Sequence, residues 1–281
     1  MNRRPTGLIA IFSLLLLVST GGILVHYLTG YDYPASAAFH FEMNVLNDLV
    51  EIFFIVPVGL AGLLALRRGS AWGPVLIGAT AANFAYNYAM MAAGRQNLWV
   101  FVWAAKIALG GTAACLVWDL LPAGTSYTRG RRTGAAVYLA VAALAFAKMM
   151  GQRLLASAMG QTMEMTMQAG GGAVDWGEPI LRDPIMFFVL TLPMLVAAIL
   201  GLLRGASWGS RAAALSCGFI VMLAGIILLT GPLKEWLQTG SVSPAMWTMS
   251  AIIVLAAAPG VWALTWLVND ERQALARKAA A

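Results

Sequence analysis

From Gly7 to Val268 the chain is a succession of apolar runs, each of about twenty residues, broken by short connections that carry arginine, glycine or tryptophan. An α-helix of that length crosses a hydrocarbon layer with every backbone N–H and C=O bonded internally, which irregular backbone in lipid cannot do. The chain is 60% hydrophobic and 11% charged, with a mean hydropathy of +0.77. A soluble domain of 281 residues has too little interior to cover that much apolar side chain. The expected fold class is an all-α membrane protein with about eight transmembrane helices, and the partner it requires is the lipid bilayer.

The spans read in order as Gly7 to Leu28, Asn47 to Leu66, Trp72 to Ala92, Leu98 to Leu120, Gly134 to Leu155, Asp183 to Leu203, Trp208 to Thr230 and Ala245 to Val268. The first run exceeds a secretory h-region and no small-residue cleavage site follows it closely, so it reads as a membrane helix. Residues 30–46 form a polar and aromatic connection. Residues 156–182 are the longest non-apolar region: SAMGQTMEMTMQ suits an interfacial helix, and GGGAVDWGEP does not. A charged tail, NDERQALARKAAA, follows the last span.

The net charge of +6 resides mainly in the connections. Eight spans put Arg3, Arg4, Arg67, Arg68, Arg129, Arg131, Arg132, Arg204, Arg211, Arg272, Arg277 and Lys278 on one side, against Arg95, Arg153, Arg182 and Lys234 on the other. By the positive-inside rule both termini are cytoplasmic, and the localisation expected is a bacterial cytoplasmic membrane. The basic residues thus set orientation, and no nucleic-acid partner is implied. Cys115 and Cys217 stand alone within apolar runs, as buried core residues do, without the spacing of a disulfide framework or thiolate site.

One stretch is written twice. PVGLAGLLALRRGSAWG at 57–73 and PMLVAAILGLLRGASWG at 193–209 align at an offset of 136, matching Pro57 with Pro193, Arg68 with Arg204, Gly69 with Gly205, Trp72 with Trp208 and Gly73 with Gly209. Each copy is an apolar helix with a proline, a basic glycine-containing turn, and a Trp-Gly pair opening the next helix. An offset of 148 pairs Trp99 with Trp247 and Trp118 with Trp266. Copies four spans apart point the same way, so the expectation is two parallel four-helix repeats, 1–132 and 133–281, related by an axis along the membrane normal. Gly201, Gly205 and Gly209 form a small-residue ladder, part of it beyond the hairpin turn.

The LRRGSAWG and LLRGASWG hairpins resemble those of a set of bacterial polytopic membrane proteins that carry similar RRGS-x-WG hairpins. The resemblance covers about a third of the chain, in two pieces. It implies the helical membrane fold and brings no activity and no functional residue with it.

Charges inside membrane helices are costly unless paired or hydrated, so they are the first candidates for function. Glu51 lies about one turn into the second span from the outer side, and Lys106 about two turns into the fourth. Lys148 approaches the outer end of the fifth, while Asn83 and Asn87 sit one turn apart on the third beside Tyr86 and Tyr88. A shared outward-facing pocket formed by Glu51, Asn83, Asn87, Lys106 and Lys148 is one reading. The other is that Lys148 snorkels and the remaining groups glue helices or meet headgroups. For Glu51 and Lys106, mutual pairing is the simplest way to retain both charges.

Met163, Met165 and Met167 form an MxMxM run in the outer connection, with His26 and His40 on the same side. Thioethers are soft donors suited to Cu(I), yet Met159, Met163 and Met167 at helical spacing also make an ordinary apolar stripe. Packing is the plainer account, and no cofactor is implied. Walker, HExxH and paired-Asp motifs do not occur in the sequence, which argues against an enzyme. Two functions compete. One is a small-solute or ion permease with its path between the two halves; the other is a non-catalytic accessory or scaffold subunit packed against other membrane subunits.

Overall fold

The computed structural model describes residues 3–29, 46–92, 99–123, 128–158 and 187–280. All regular structure among them is helical. We label the helices α1 (Arg3–Thr29), α2 (Leu46–Arg67), α3 (Trp72–Ala92), α4 (Trp99–Val117), α5 (Arg129–Ala158), α6 (Phe187–Arg204), α7 (Ser207–Thr239) and α8 (Pro244–Ala280). Seven of these, all but α3, are long and apolar enough to cross a membrane. The 21-residue α3 carries Asn83, Asn87 and two tyrosines, which lower its hydropathy below that of its neighbours.

Several ends differ from the sequence expectation. Arg129, Arg131 and Arg132 belong to the first turn of α5 and not to a loop, because nothing in RGRRT breaks a helix. Helix α7 continues through Pro232 to Thr239, where Gly240 at φ 73° stops it. The charged tail continues α8 to Ala280; its residues are mostly good helix formers. The 156–182 connection lies almost entirely outside the described residues.

The helices close into two rings. In the first, α1 packs on α2 and α4, and α3 packs on α2 and α4; in the second, α5 packs on α6 and α8, and α7 packs on α6 and α8. Helices α3 and α7 pack on each other and join the rings. That junction is apolar and close: a Cβ at Gly78 would lie 3.1 Å from Leu215, and one at Gly218 3.1 Å from Ala79.

The two copies of the repeated stretch fold alike in detail. Each helix before the turn ends in the same pair of C-terminal bonds: Ser70 N–H donates to Ala65 O (2.8 Å) and Gly69 N–H to Leu66 O (3.0 Å), as Ala206 does to Gly201 O (2.9 Å) and Gly205 to Leu202 O (3.0 Å). This Schellman arrangement needs a left-handed residue, supplied by Gly69 at φ 69° and Gly205 at φ 70°. Gly73 and Gly209 then let the next helix return backbone against backbone. A Cβ at Gly73 would stand 2.6 Å from Leu66 Cα, and one at Gly209 2.5 Å from Gly201 Cα. Gly201 and Gly209 of the ladder therefore do meet, across the turn.

A second shared detail was not visible in the sequence. A π-helical turn occupies Glu51–Ile55 in α2 and Phe187–Thr191 in α6, again 136 residues apart. Each lies just before a proline, Pro57 or Pro193. Proline has no N–H and its ring crowds the carbonyl four residues earlier, so the ladder needs slack at this point. The π turn provides it by one residue, with Val56 N–H bonding back five residues to Glu51 O.

Candidate functional site

The widened turn in α2 is where the buried acid sits. Glu51 is its first residue, 2% exposed, and Lys106 on α4 is 3% exposed. Lys106 Nζ donates to Glu51 Oε1 at 2.7 Å and to the Tyr88 hydroxyl oxygen at 2.8 Å. The Tyr88 hydroxyl in turn donates to Glu51 Oε2, and the Ser19 hydroxyl donates to Glu51 Oε1. The site therefore takes one residue from each helix of the first ring: Ser19 from α1, Glu51 from α2, Tyr88 from α3 and Lys106 from α4.

Three donors surround the carboxylate and replace the water that burial removes, which is the condition for keeping an ionised acid inside a protein. The ammonium is compensated in two ways. Besides its two hydrogen bonds it stands 4.1 Å from the Tyr88 ring centroid and 6.0 Å from that of Phe84, so aromatic faces shield it. Asp48, also buried, lies on α2 three residues before Glu51.

A second polar strip runs deeper along α3. Asn87 Nδ2 donates to Asn83 Oδ1 at 2.8 Å. Asn83 and Thr80 are fully buried, and Asn83 Nδ2 and Thr80 Oγ1 have no hydrogen-bond partner among the described residues. Residues 80, 83 and 87 repeat at helical spacing, so they share one face of α3. That face looks toward α2, since a Cβ on Gly59 would lie 3.3 Å from the Thr80 methyl. Asn83 sits three residues, or about 4.5 Å, beyond Thr80 toward the ion pair.

Of the five pocket candidates, Glu51 and Lys106 are in direct contact, and Asn83 and Asn87 form a bonded pair on the helix that supplies Tyr88. Lys148 is exposed on α5, which packs in the second ring. Ser19 and Asp48 were not singled out from the sequence. A lone serine in an apolar helix carries little signal, and Asp48 sits at the edge of its run, where it reads as an interfacial residue. His26 is buried on α1 with its ring edge-on to Tyr27 at 5.0 Å. Met163, Met165, Met167 and His40 lie outside the described residues. Among the described residues, no group of three or more His, Cys, Asp or Glu side chains is placed to hold a metal ion.

The second ring carries no counterpart of the ion pair. At the repeat offset of 136, Glu51 corresponds to Phe187, Asn83 to Phe219, Asn87 to Leu223 and Tyr88 to Ala224; at the offset of 148, Lys106 corresponds to Val254. The cluster thus lies inside the first ring and away from the apolar α3–α7 junction. In comparison with known proteins, no family model matches the chain, and no curated protein or solved structure does.

Proposed function

We propose that the protein is a permease for a small solute or ion and that the Glu51–Lys106 cluster is its binding position. The proposed path runs within the first four-helix ring and not between the halves, because the buried polar groups are gathered there, while the α3–α7 packing is apolar and the Arg211–Asp119 pair that also joins the rings is exposed. The chain crosses the membrane eight times in this reading, α3 included. Both termini are cytoplasmic, and residues 1–132 and 133–281 are parallel repeats. The matching Schellman turns, glycine contacts and π turns at one offset support the repeat.

The observation that carries the transport reading is the buried cluster drawn from all four helices. An apolar replacement of a buried ion pair is often neutral or stabilising, so charges kept inside a membrane bundle point to a task beyond holding helices together. The test is osmotic flux in proteoliposomes against a panel of neutral and charged small solutes. At least one must enter faster through the parent than through protein-free vesicles or the Glu51→Gln/Lys106→Met double variant. If none does, and the purified protein migrates with other membrane subunits, the accessory-subunit reading takes its place.

A further inference from the structure

We infer that the solute taken by this site is small and neutral and is bound through a carbonyl oxygen; the inference rests on the transport reading above. It follows from the hydrogen-bonding capacity that the bundle leaves unspent. A lysine ammonium has three N–H donors, and Lys106 commits two, to Glu51 and to Tyr88. Glu51 already receives Ser19, Tyr88 and Lys106. On α3, Asn83 Oδ1 is occupied by Asn87, while both N–H groups of Asn83 Nδ2 lack an acceptor among the described residues. The Thr80 hydroxyl, deeper on the same face, is also unpartnered among them. What remains over among the buried atoms is two N–H donors on Asn83 and a Thr80 hydroxyl able to donate or accept.

Buried donors without acceptors cost free energy that a bound acceptor returns. A cation offers no acceptor, and it would compete with Lys106 for Glu51. An anion would accept from these donors, but it would enter a low-dielectric interior that already holds the Glu51 and Asp48 carboxyl groups. A neutral carbonyl accepts without adding charge. Asn83 and Thr80 lie about 4.5 Å apart along one face of α3, within reach of one solute of a few heavy atoms.

Urea, guanidinium and nitrate test this directly, because they share one planar shape and differ in charge and in acceptors. The intact protein is reconstituted in liposomes, with valinomycin and potassium balancing charge for the two ions, and entry is followed by stopped-flow light scattering. Urea is expected to enter at least tenfold faster than into protein-free vesicles, while guanidinium and nitrate gain nothing. Thr80→Val is expected to keep its Tm, Asn83→Leu to stay folded with a lowered Tm because Asn87 loses its acceptor, and both to cut urea entry at least fivefold. Entry of guanidinium or nitrate in place of urea overturns the carbonyl assignment and leaves transport standing. Urea entry undiminished in both variants shows that the spare donors are not the site and overturns the inference. Entry of none of the three overturns it as well, and the wider panel then decides the transport reading separately.

Discussion

Lys106 Nζ stands 2.7 Å from Glu51 Oε1 across the first ring, with both side chains buried. Each charge is the other's main compensation, so removing one strands its partner. Glu51→Gln or Lys106→Met alone is expected to destabilise the protein by about 3–5 kcal/mol. The double variant is expected to recover much of that loss, which a double-mutant cycle of unfolding free energies in bicelles reads as a coupling energy. Additive losses would mean that the pair contributes nothing jointly.

Tyr88→Phe keeps the ring beside the ammonium and removes the hydroxyl that serves both Lys106 and Glu51. The expected cost is about 1–3 kcal/mol, below that of either charge substitution. Ser19→Ala removes one of three donors to the carboxylate, and its expected cost is about 1 kcal/mol. Thermal unfolding of the two variants beside Glu51→Gln should preserve that order; a reversed order would show that the carboxylate is not the hub.

Gly73→Ala and Gly209→Ala place a methyl where backbone already stands, so both hairpins must open. A loss of about 1–3 kcal/mol or more is expected for each, typical of overpacking. A methyl added at Gly111 on α4 would have nothing within 4 Å, and Gly111→Ala is expected to gain up to about 1 kcal/mol from helix propensity. If all three substitutions behave alike in SDS-induced unfolding, the close backbone contacts are not what holds the hairpins.

The proposed eight spans with cytoplasmic termini would place Ser70, Thr133 and Ser207 on the cytoplasmic side and Ser241 outside. In a variant lacking Cys115 and Cys217, single cysteines at the first three positions are expected to react with an impermeant maleimide only in inside-out vesicles, and Ser241→Cys only in right-side-out ones. Labelling of Thr133→Cys from outside while Ser70→Cys stays inside would mean that α3 does not cross.

The helical fold could be read from the sequence because an apolar run near twenty residues has few alternatives in lipid. The hairpins could be read because Gly69 and Gly205 mark left-handed stops. The pairing of Glu51 with Lys106 followed from the cost of two isolated buried charges. The π turns did not show, because Pro57 and Pro193 suit an ordinary kink equally well, and only the folded backbone reveals which way the helix takes up its slack. Ser19 escaped notice for a related reason. A hydroxyl in an apolar helix bonds to its own backbone as readily as to a distant acid, so only the packing of α1 tells which. Lys148 falls in the outer half of its span, as Lys106 does, but depth along a helix does not say which ring the helix joins.

The glycine contacts also show which helices of the first ring meet most closely. Gly73 holds α2 to α3 backbone to backbone, and Gly110 holds α4 to α3, where an added Cβ would fall 2.7 Å from Ala81 O. Three of the four helices therefore make one stiff frame, which carries Glu51, Tyr88 and Lys106 at fixed spacing. Helix α1 joins this frame through side chains: a Cβ at Gly59 of α2 would fall 3.1 Å from Leu16 and 3.2 Å from Phe12. Its hold on the acid is the single Ser19 hydroxyl. The frame is a wall that presents Glu51 and Lys106 to α1, and α1 seals it with fully buried Leu8, Phe12 and Leu15 and with a charge-assisted bond from Ser19.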